Sequence, residues 1–357
     1  MGLAMTFLRN AWYVCAWSNE VGADAPLART ILGEPVICFR DAAGQPVVLE
    51  DRCCHRQMPL SKGWLEQGTI RCGYHGMRFD GSGKCVEIPG QPNIPPRAKV
   101  RAYPTIERYR WIWIWPGDPA LADPALILEF FEPNDSPAWS VSCGTSYVRC
   151  NYELISDNLL DLTHETYVHR TSLGNQHVVE HPIKLTSGTD WVTVTRHIPN
   201  HDPAPFWKKA IKGAKNLTED VLCDRWQVIN YRPPANLVLE VGVAPAGTGA
   251  LHGDRSQGVE GRNLNAITPE TEDSSFLFWT LARNFSRDPA LDAVFTESAK
   301  KILEEDRFTC EAVHNVVRRS QGRPVVDVNA DGGTVAARRM LAQLIAKENA
   351  AVNRAAE

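Results

Sequence analysis

Two short loops constrain this chain more than any other feature: Cys53-x-His55 and, after sixteen intervening residues, Cys72-x-x-His75. Each places a thiol and an imidazole two or three positions apart, so that a tight turn can aim both at one point. A second constellation, in a helical stretch, carries Asn158, Asp161, His164 and His169. Two thiolates and two imidazoles are the ligand count at which one iron of a [2Fe–2S] cluster is held by Cys and the other by His. His164 and His169 supply the two histidines of a 2-His-1-carboxylate iron site. A one-electron carrier and an oxygen-activating iron in one polypeptide point to a monooxygenase or dioxygenase.

Zinc is the rival for the first set, because two Cys and two His also describe a structural zinc site. Zinc fingers of that composition usually segregate a Cys pair from a His pair, whereas here each loop donates one of each. The other cysteines have no partner at ligand spacing. Ten cysteines in 357 residues, without an export signal, suit a reducing, cytoplasmic setting and buried thiols rather than a disulfide framework.

With 43% hydrophobic and 22% charged residues the chain reads as globular, and its length suits about two domains. A net charge of −4 without a block of like charges argues against nucleic acid or an anionic membrane as partner. The apolar runs are strand-sized, so no spanning segment is expected.

Residues 5–117 read as β-rich. Glu34–Arg40 and Pro46–Glu50 form an expected hairpin around Gly44, a tight turn is expected at Asp80-Gly81, and Trp111-Ile-Trp-Ile-Trp115 alternates at period two. Pro116-Gly-Asp-Pro119 marks a boundary, so the expected domains are 5–117 and 118–357. The second reads as α+β: a helix over about 151–168, strands near 187–198, 224–244 and 274–284, and helices over 290–319 and 334–350. That order suits an antiparallel sheet gripping a long C-terminal helix.

His164 and His169 stand five apart, about 140° around a regular helix, so a break or π-type widening is expected between them. Asp161, one turn before His164, is placed to accept the ring N–H that a metal leaves free. Asp157 and Glu165 read as helix-surface acids or local hydrogen-bond partners. The third ligand must come from elsewhere. Ala299, Ile302, Leu303, Cys310, Val313 and Val317 make an apolar stripe with Asp306 at its centre, while Glu305 falls toward the edge and Glu304 toward solvent. A carboxylate in a buried face needs a cation. Iron is one; a buried Arg such as Arg283 is the alternative.

The alternating C-x-H and C-x-x-H loops resemble those of Rieske proteins. Asn158-Leu-Leu-Asp-Leu-Thr-His-Glu-Thr-Tyr-Val-His169 resembles the catalytic helix of Rieske non-haem iron oxygenases. Arg9-Asn-Ala-Trp-Tyr-Val, Trp113-Ile-Trp-Pro-Gly-Asp-Pro, Asp224-Arg-Trp, Ile267-Thr-Pro-Glu and Ala282-Arg-Asn-Phe are similar to the vanillate O-demethylase branch of that family. The resemblance implies an all-β Rieske domain followed by a helix-grip catalytic domain. It implies one [2Fe–2S] cluster on Cys53, His55, Cys72 and His75, and one Fe(II) on His164, His169 and Asp306. It also implies catalytic roles for Asp161 and Asn158, and a homotrimer in which Asp161 links across a subunit boundary to His75. Cys54 departs from the pattern, which often has proline there, and only Cys53 keeps the register of Cys72.

Electrons would come from a separate reductase carrying flavin and a plant-type cluster. The chain itself has no G-x-G-x-x-G after a strand and no C-x₄-C-x₂-C, hence no recognisable nicotinamide or second cluster site. The expected reaction is O-demethylation of a methoxylated aromatic acid with O2 and release of formaldehyde. Methyl or ring hydroxylation of an aromatic carboxylate or sulfonate is the second reading, and a Rieske electron carrier the outsider. Candidate substrate residues are Leu239 and Asn265, which match positions of polar substrate contacts in dicamba-demethylating members, and His201 in an expected surface loop. Leu239 cannot hydrogen-bond, which argues against dicamba itself.

Overall fold

The computed structural model describes residues 6–170, 178–320 and 322–356. The chain divides into two units. One runs to Leu128 and includes Thr268–Glu272 and the chain from Glu348; the other comprises Glu129–Ile267 and Asp273–Lys347.

The first unit contains β1 (Tyr13–Trp17), β2 (Leu27–Ile31), β3 (Glu34–Arg40), β4 (Pro46–Glu50), β5 (Trp64–Glu66), β6 (Thr69–Arg71), β7 (Arg78–Phe79), β8 (Cys85–Glu87), β9 (Ala102–Tyr103), β10 (Thr105–Arg108) and β11 (Trp111–Ile114). They form three sheets of order β1-β11-β10, β2-β3-β4-β9 and β5-β6-β7-β8. The β3–β4 hairpin forms because Gly44 takes φ +77° and the Asp41 carboxylate accepts the N–H groups of Ala43 and Gln45. The tight turn expected at Asp80-Gly81 joins β7 to β8 and runs over Asp80–Gly83, the N–H of Gly83 donating to the carbonyl of Asp80. Asp80 accepts from the N–H of Ser82 and Lys84, and the left-handed residue is Gly83.

The Trp111–Trp115 alternation does not sort into a dry and a wet face. Trp111, Trp113 and Trp115 are buried, and so are Ile112 and Ile114. As the central strand of its sheet, β11 is covered on both sides, and Trp17 and Trp12 pack on Trp111 and Trp115 at ring-centroid distances of 5.3 and 5.4 Å. A separate core of Ile37, Phe39, Leu49, Leu60, Ile70 and Phe79 closes around Cys53 and Cys72.

The second unit is built on a seven-stranded antiparallel sheet. Its strands are β12 (Ser140–Val148), β13 (Ile183–Ser187), β14 (Val192–His201), β15 (Cys223–Arg232), β16 (Asn236–Pro245), β17 (Val259–Thr271) and β18 (Ser274–Arg283), in the order β12-β18-β17-β16-β15-β14-β13. The helices are α1 (Tyr152–Leu160), α2 (Glu165–Val168), α3 (Pro205–Lys215), α4 (Asp292–Ser320) and α5 (Gly332–Ala356). The 29-residue α4 lies against β12, α1 and α2. The fold is thus the expected α+β arrangement of a sheet gripping a long helix. β12, β13, α3 and β17 are additions to the elements expected from sequence, and the expected strand over 224–244 is two strands, β15 and β16. The stripe on α4 also differs: Ala299, Asp306, Cys310 and His314 are buried, whereas Val313 and Val317 are exposed. Among the described residues no helix is long and apolar enough to cross a membrane.

Candidate metal centres

The two Cys-His loops are built to one plan. The N–H of Cys53 donates to the carbonyl of Met58 and that of Gln57 to Cys53; the N–H of Cys72 donates to Met77 and that of Gly76 to Cys72. Each loop is therefore Cys-x₄-Met with a left-handed residue four positions after the Cys, Gln57 at φ +60° and Gly76 at φ +72°. Gly73 is also required: a Cβ there would sit 2.7 Å from the carbonyl oxygen of Lys62. The loops bury Cys53 and Cys72 and expose His55 and His75, whose rings lie 4.5 Å apart. Burial, with the Cys72 thiol alongside, pushes the Cys53 thiol up to about 12. Paired thiols in such a place ionise when a metal takes the proton's position. Two buried thiols and two exposed imidazoles, paired one of each per loop, fit the ligand set of a [2Fe–2S] cluster. Cys54 is exposed and shares neither loop bond.

The second centre is assembled from distant pieces. α1 starts at Asn151, whose side chain accepts the N–H of Glu153, and stops at Asp161, where the backbone turns extended at ψ 110°. The carboxylate of Asp161 then accepts the N–H groups of Thr163 (2.6 Å) and His164 (3.2 Å). α2 is a single turn with His164 before it and His169 after it, the latter leaving helical geometry at ψ 34°. The break expected between the two histidines thus lies ahead of His164, and the intervening turn is regular.

The ring of His164 is held through Nδ1–H, which donates to the main-chain carbonyl of Asp161 at 2.5 Å, not to its carboxylate as the sequence suggested. The carboxylate is already engaged with the turn's N–H groups. His169 donates from Nδ1–H to Glu305 Oε2 at 2.7 Å. Glu305, read from sequence as an edge residue, is one of the site's partners. A signal was available in its place directly beside Asp306 on the same buried turn.

With both Nδ1 atoms occupied, both Nε2 atoms face Asp306 Oδ1, at 3.5 Å from His164 and 3.2 Å from His169. Asn158 Nδ2 donates to the same oxygen at 3.2 Å. One atom from each of His164, His169 and Asp306 falls within a 4.8 Å spread, room for one ion. Burial alone would raise the Asp306 pKa, but the two imidazoles outweigh it and bring the carboxyl down to about 2. Both imidazoles, despite the opposing effect of burial, are raised by Asp306. The donor set is two neutral-capable nitrogens and one firmly ionised carboxylate, which fits an Fe(II) held on one face. Arg283, the alternative partner of Asp306, instead pairs with Asp292 and Ser142.

Glu165 is not a surface acid. It is 9% exposed and accepts from Arg225 Nη2 at 2.9 Å and Gln227 Nε2 at 2.6 Å. Asp157 pairs with Arg338 of α5. Leu239, Asn265 and His201 are spread over β16, β17 and β14. Strand register puts Leu239 and Asn265 on the sheet face that carries Arg225 and Gln227. Leu239 packs in a cluster with Trp207, Val241 and Phe285. Asn265 donates to Asn263 O at 3.4 Å. His201 is buried at the end of β14, donating to Cys223 O at 2.8 Å, rather than in a surface loop.

Comparison with known proteins agrees with both centres. A family model described as the Rieske [2Fe-2S] domain matches residues 11–104, and one described as the vanillate O-demethylase oxygenase C-terminal domain matches 148–347. The chain is 42% identical over 348 residues to the toluene-4-sulfonate monooxygenase system iron-sulfur subunit of Comamonas testosteroni, covering 96% of this chain and 98% of that one. It is 37% identical over 350 residues to the vanillate O-demethylase oxygenase subunit of a Pseudomonas species, covering 98% of each. The crystal structure of dicamba monooxygenase bound to 3,6-dichlorosalicylic acid matches with a TM-score of 0.88 at 34% identity, over 96% of this chain and 99% of that one. The matched family decides between cluster and zinc at the first centre, and with the geometry of the second it leads to one conclusion: the chain belongs to the Rieske non-haem iron oxygenases, with one Rieske [2Fe–2S] cluster and one mononuclear iron per protomer.

Proposed function

We propose that this protein is the terminal oxygenase of a two-component system that O-demethylates a methoxylated, vanillate-like aromatic acid. A separate NAD(P)H-dependent reductase supplies the electrons. The convergence of His164, His169 and Asp306 on one point carries this reading, because two imidazoles and one carboxylate are the donor set that would hold an oxygen-activating iron. The bound iron supplies reductive activation of dioxygen. Overall, the aryl methyl ether, O2, two electrons and two protons give a hemiacetal and water, and the hemiacetal collapses to a phenol and formaldehyde.

The chain's own part is positional. Cys53, Cys72, His55 and His75 would hold the cluster, and the two histidines are exposed. Asp161 holds the start of α2, Glu305 and the Asp161 carbonyl fix both ring tautomers, and Asn158 steadies the iron-bound carboxylate. We assign residues 5–117 to the cluster domain and 118–357 to the catalytic domain. The protein works as a cytoplasmic homotrimer in which electrons pass from His75 of one protomer through Asp161 to His164 of the next. Leu239, Asn265 and His201 line the substrate side of the sheet.

Hydroxylation of a methyl group or ring on an aromatic sulfonate or carboxylate is the second reading, supported by the 42% identity to a toluenesulfonate monooxygenase subunit. Turnover with a surrogate reductase, NADH and labelled oxygen separates the two. Formaldehyde with a phenol supports demethylation. An oxygen-labelled alcohol or diol with its carbon retained supports hydroxylation, and neither product from a panel of aromatic acids rejects both.

A further inference from the structure

The turn that carries both iron-facing histidines cannot set its own geometry. α2 has four residues, far below the roughly 12–15 at which an isolated helix becomes even marginal. Its orientation has to come from what it touches. On one side the Asp161 carboxylate accepts the N–H groups of Thr163 and His164, just ahead of it. On the other, one patch of the sheet grips it at two levels. Arg196 of β14, 2% exposed, donates to Leu162 O at 2.7 Å and Thr163 Oγ1 at 3.1 Å, just before the turn. Arg225 and Gln227 of β15 both donate to the Glu165 carboxylate, the turn's first residue. Arg196 and Gln227 are register partners, and Arg225 shares their face, so the three side chains form one rigid comb.

A buried ion pair of this kind is weak evidence for stability, since well-packed apolar side chains of equal volume often serve as well or better. What it adds is direction. A carboxylate held at both oxygens by donors from one strand cannot rotate, and Glu165 sits on the same turn as the two imidazoles. The carbonyl of Glu165 also accepts the N–H of His169, so any rotation of Glu165 is passed on to that residue.

We infer that Glu165, clamped by Arg225 and Gln227, is a positioning residue that fixes the rotation of α2 and with it the directions of the two Nε2 atoms. This rests on reading His164, His169 and Asp306 as the iron site. Outer partners of metal ligands are typically worth about 10–100-fold in metal affinity.

The test uses the full-length protein stripped of mononuclear iron, with ferrous affinity measured directly and cobalt(II) as a spectroscopic probe of ligand geometry. Glu165→Ala is expected to bind Fe(II) about tenfold or more weakly. It should also shift the cobalt ligand-field bands while the visible spectrum of the Rieske cluster stays intact. Glu165→Gln, which keeps an acceptor for one donor, is expected to restore much of both. Should Glu165→Ala fail to fold, Gln227→Leu removes one bond at near-constant volume and is expected to shift the cobalt bands in the same sense. Parent-like affinity and cobalt bands in a folded variant, even one of lower thermal stability, would overturn the inference. A parent protein that binds neither metal would reject the iron site itself, a separate result.

Discussion

The two metal centres are opposite solutions to holding iron. The cluster loops lie within one stretch from Cys53 to His75, and each is shaped by its own backbone: a bond from Cys to Met five residues on and a left-handed residue between. The mononuclear centre joins His164 to Asp306 across more than a hundred residues, and its geometry comes from side chains of α1, α4 and the sheet. The first presents its imidazoles to solvent; in the second His169 is 3% and Asp306 8% exposed. An electron-transfer edge has to be reachable, whereas an oxygen-handling iron has to be closed to competing reactions. The difference teaches that a locally built site should resist distant change, while the tertiary one should fail by degrees as its supports are removed.

The largest test removes a ligand from the tertiary site. Asp306→Ala is expected to lose the mononuclear iron and reduce product formation to background, with the visible spectrum of the cluster unchanged. Iron analysis should read one atom fewer per protomer. A full iron content would show that the two histidines find another carboxylate, and Glu305 is the nearest. Next in size is Asp161→Asn. The amide oxygen can still accept one N–H of the turn, so both centres should load, yet turnover is expected to fall by up to about 100-fold. Rapid mixing of the reduced protein with substrate and O2 measures it, and parent-like cluster reoxidation would remove Asp161 from the electron route.

Glu305→Gln probes a gentler support. The uncharged side chain can still accept from His169, but it no longer favours the polarised ring, and Fe(II) affinity is expected to drop about tenfold. The reduction potential of the cluster should not move. A shift in that potential would couple the centres more tightly than their separate construction allows.

How far the sequence revealed each centre follows the same division. The candidate cluster ligands stand out in the sequence because spacing alone constrains a short loop. The triad was readable in its residues: two histidines five apart, and one carboxylate in an apolar stripe. Its supports were not. Glu165 reads as a surface acid in any helical wheel because its partners, Arg225 and Gln227, sit sixty residues on, and their alternation in β15 resembles that of a half-exposed strand. Spacing points to the Asp161 side chain as the ring partner of His164, because it cannot tell a carboxylate from the carbonyl of the same residue, and the carbonyl is the partner. The apolar stripe of α4 overran its buried part at Val313 and Val317, since periodicity reports the face of a helix and not where its cover ends.

Within the cluster domain, the matched loops invite a smaller comparison. Gln57 tolerates a left-handed backbone, but a Cβ on Gly76 would meet Pro89 Cγ at 2.9 Å. Gly76→Ala is therefore expected to destabilise the folded protein by about 1–2 kcal/mol, visible as earlier thermal loss of the cluster's absorbance. Gln57→Gly should shift that loss slightly in the other direction. Equal and opposite shifts would mean that backbone strain alone matters; a larger loss at Gly76 isolates the Pro89 contact.

The smallest effect is expected at Cys54, and it tests whether the cluster loop is as locally determined as its hydrogen bonds indicate. Cys53 and Cys54 are chemically equal neighbours, and sequence register alone favoured Cys53. In the fold, Cys53 alone carries both main-chain bonds that make its loop the counterpart of Cys72, and it is buried, whereas Cys54 is exposed. A loop shaped by those bonds cannot slide by one residue without giving up both. Cys54→Ser should accordingly leave the cluster content, visible spectrum and reduction potential at parental values. A shifted potential would mean that the Cys54 side chain touches the cluster environment, and a lost cluster would mean that the ligand register is off by one.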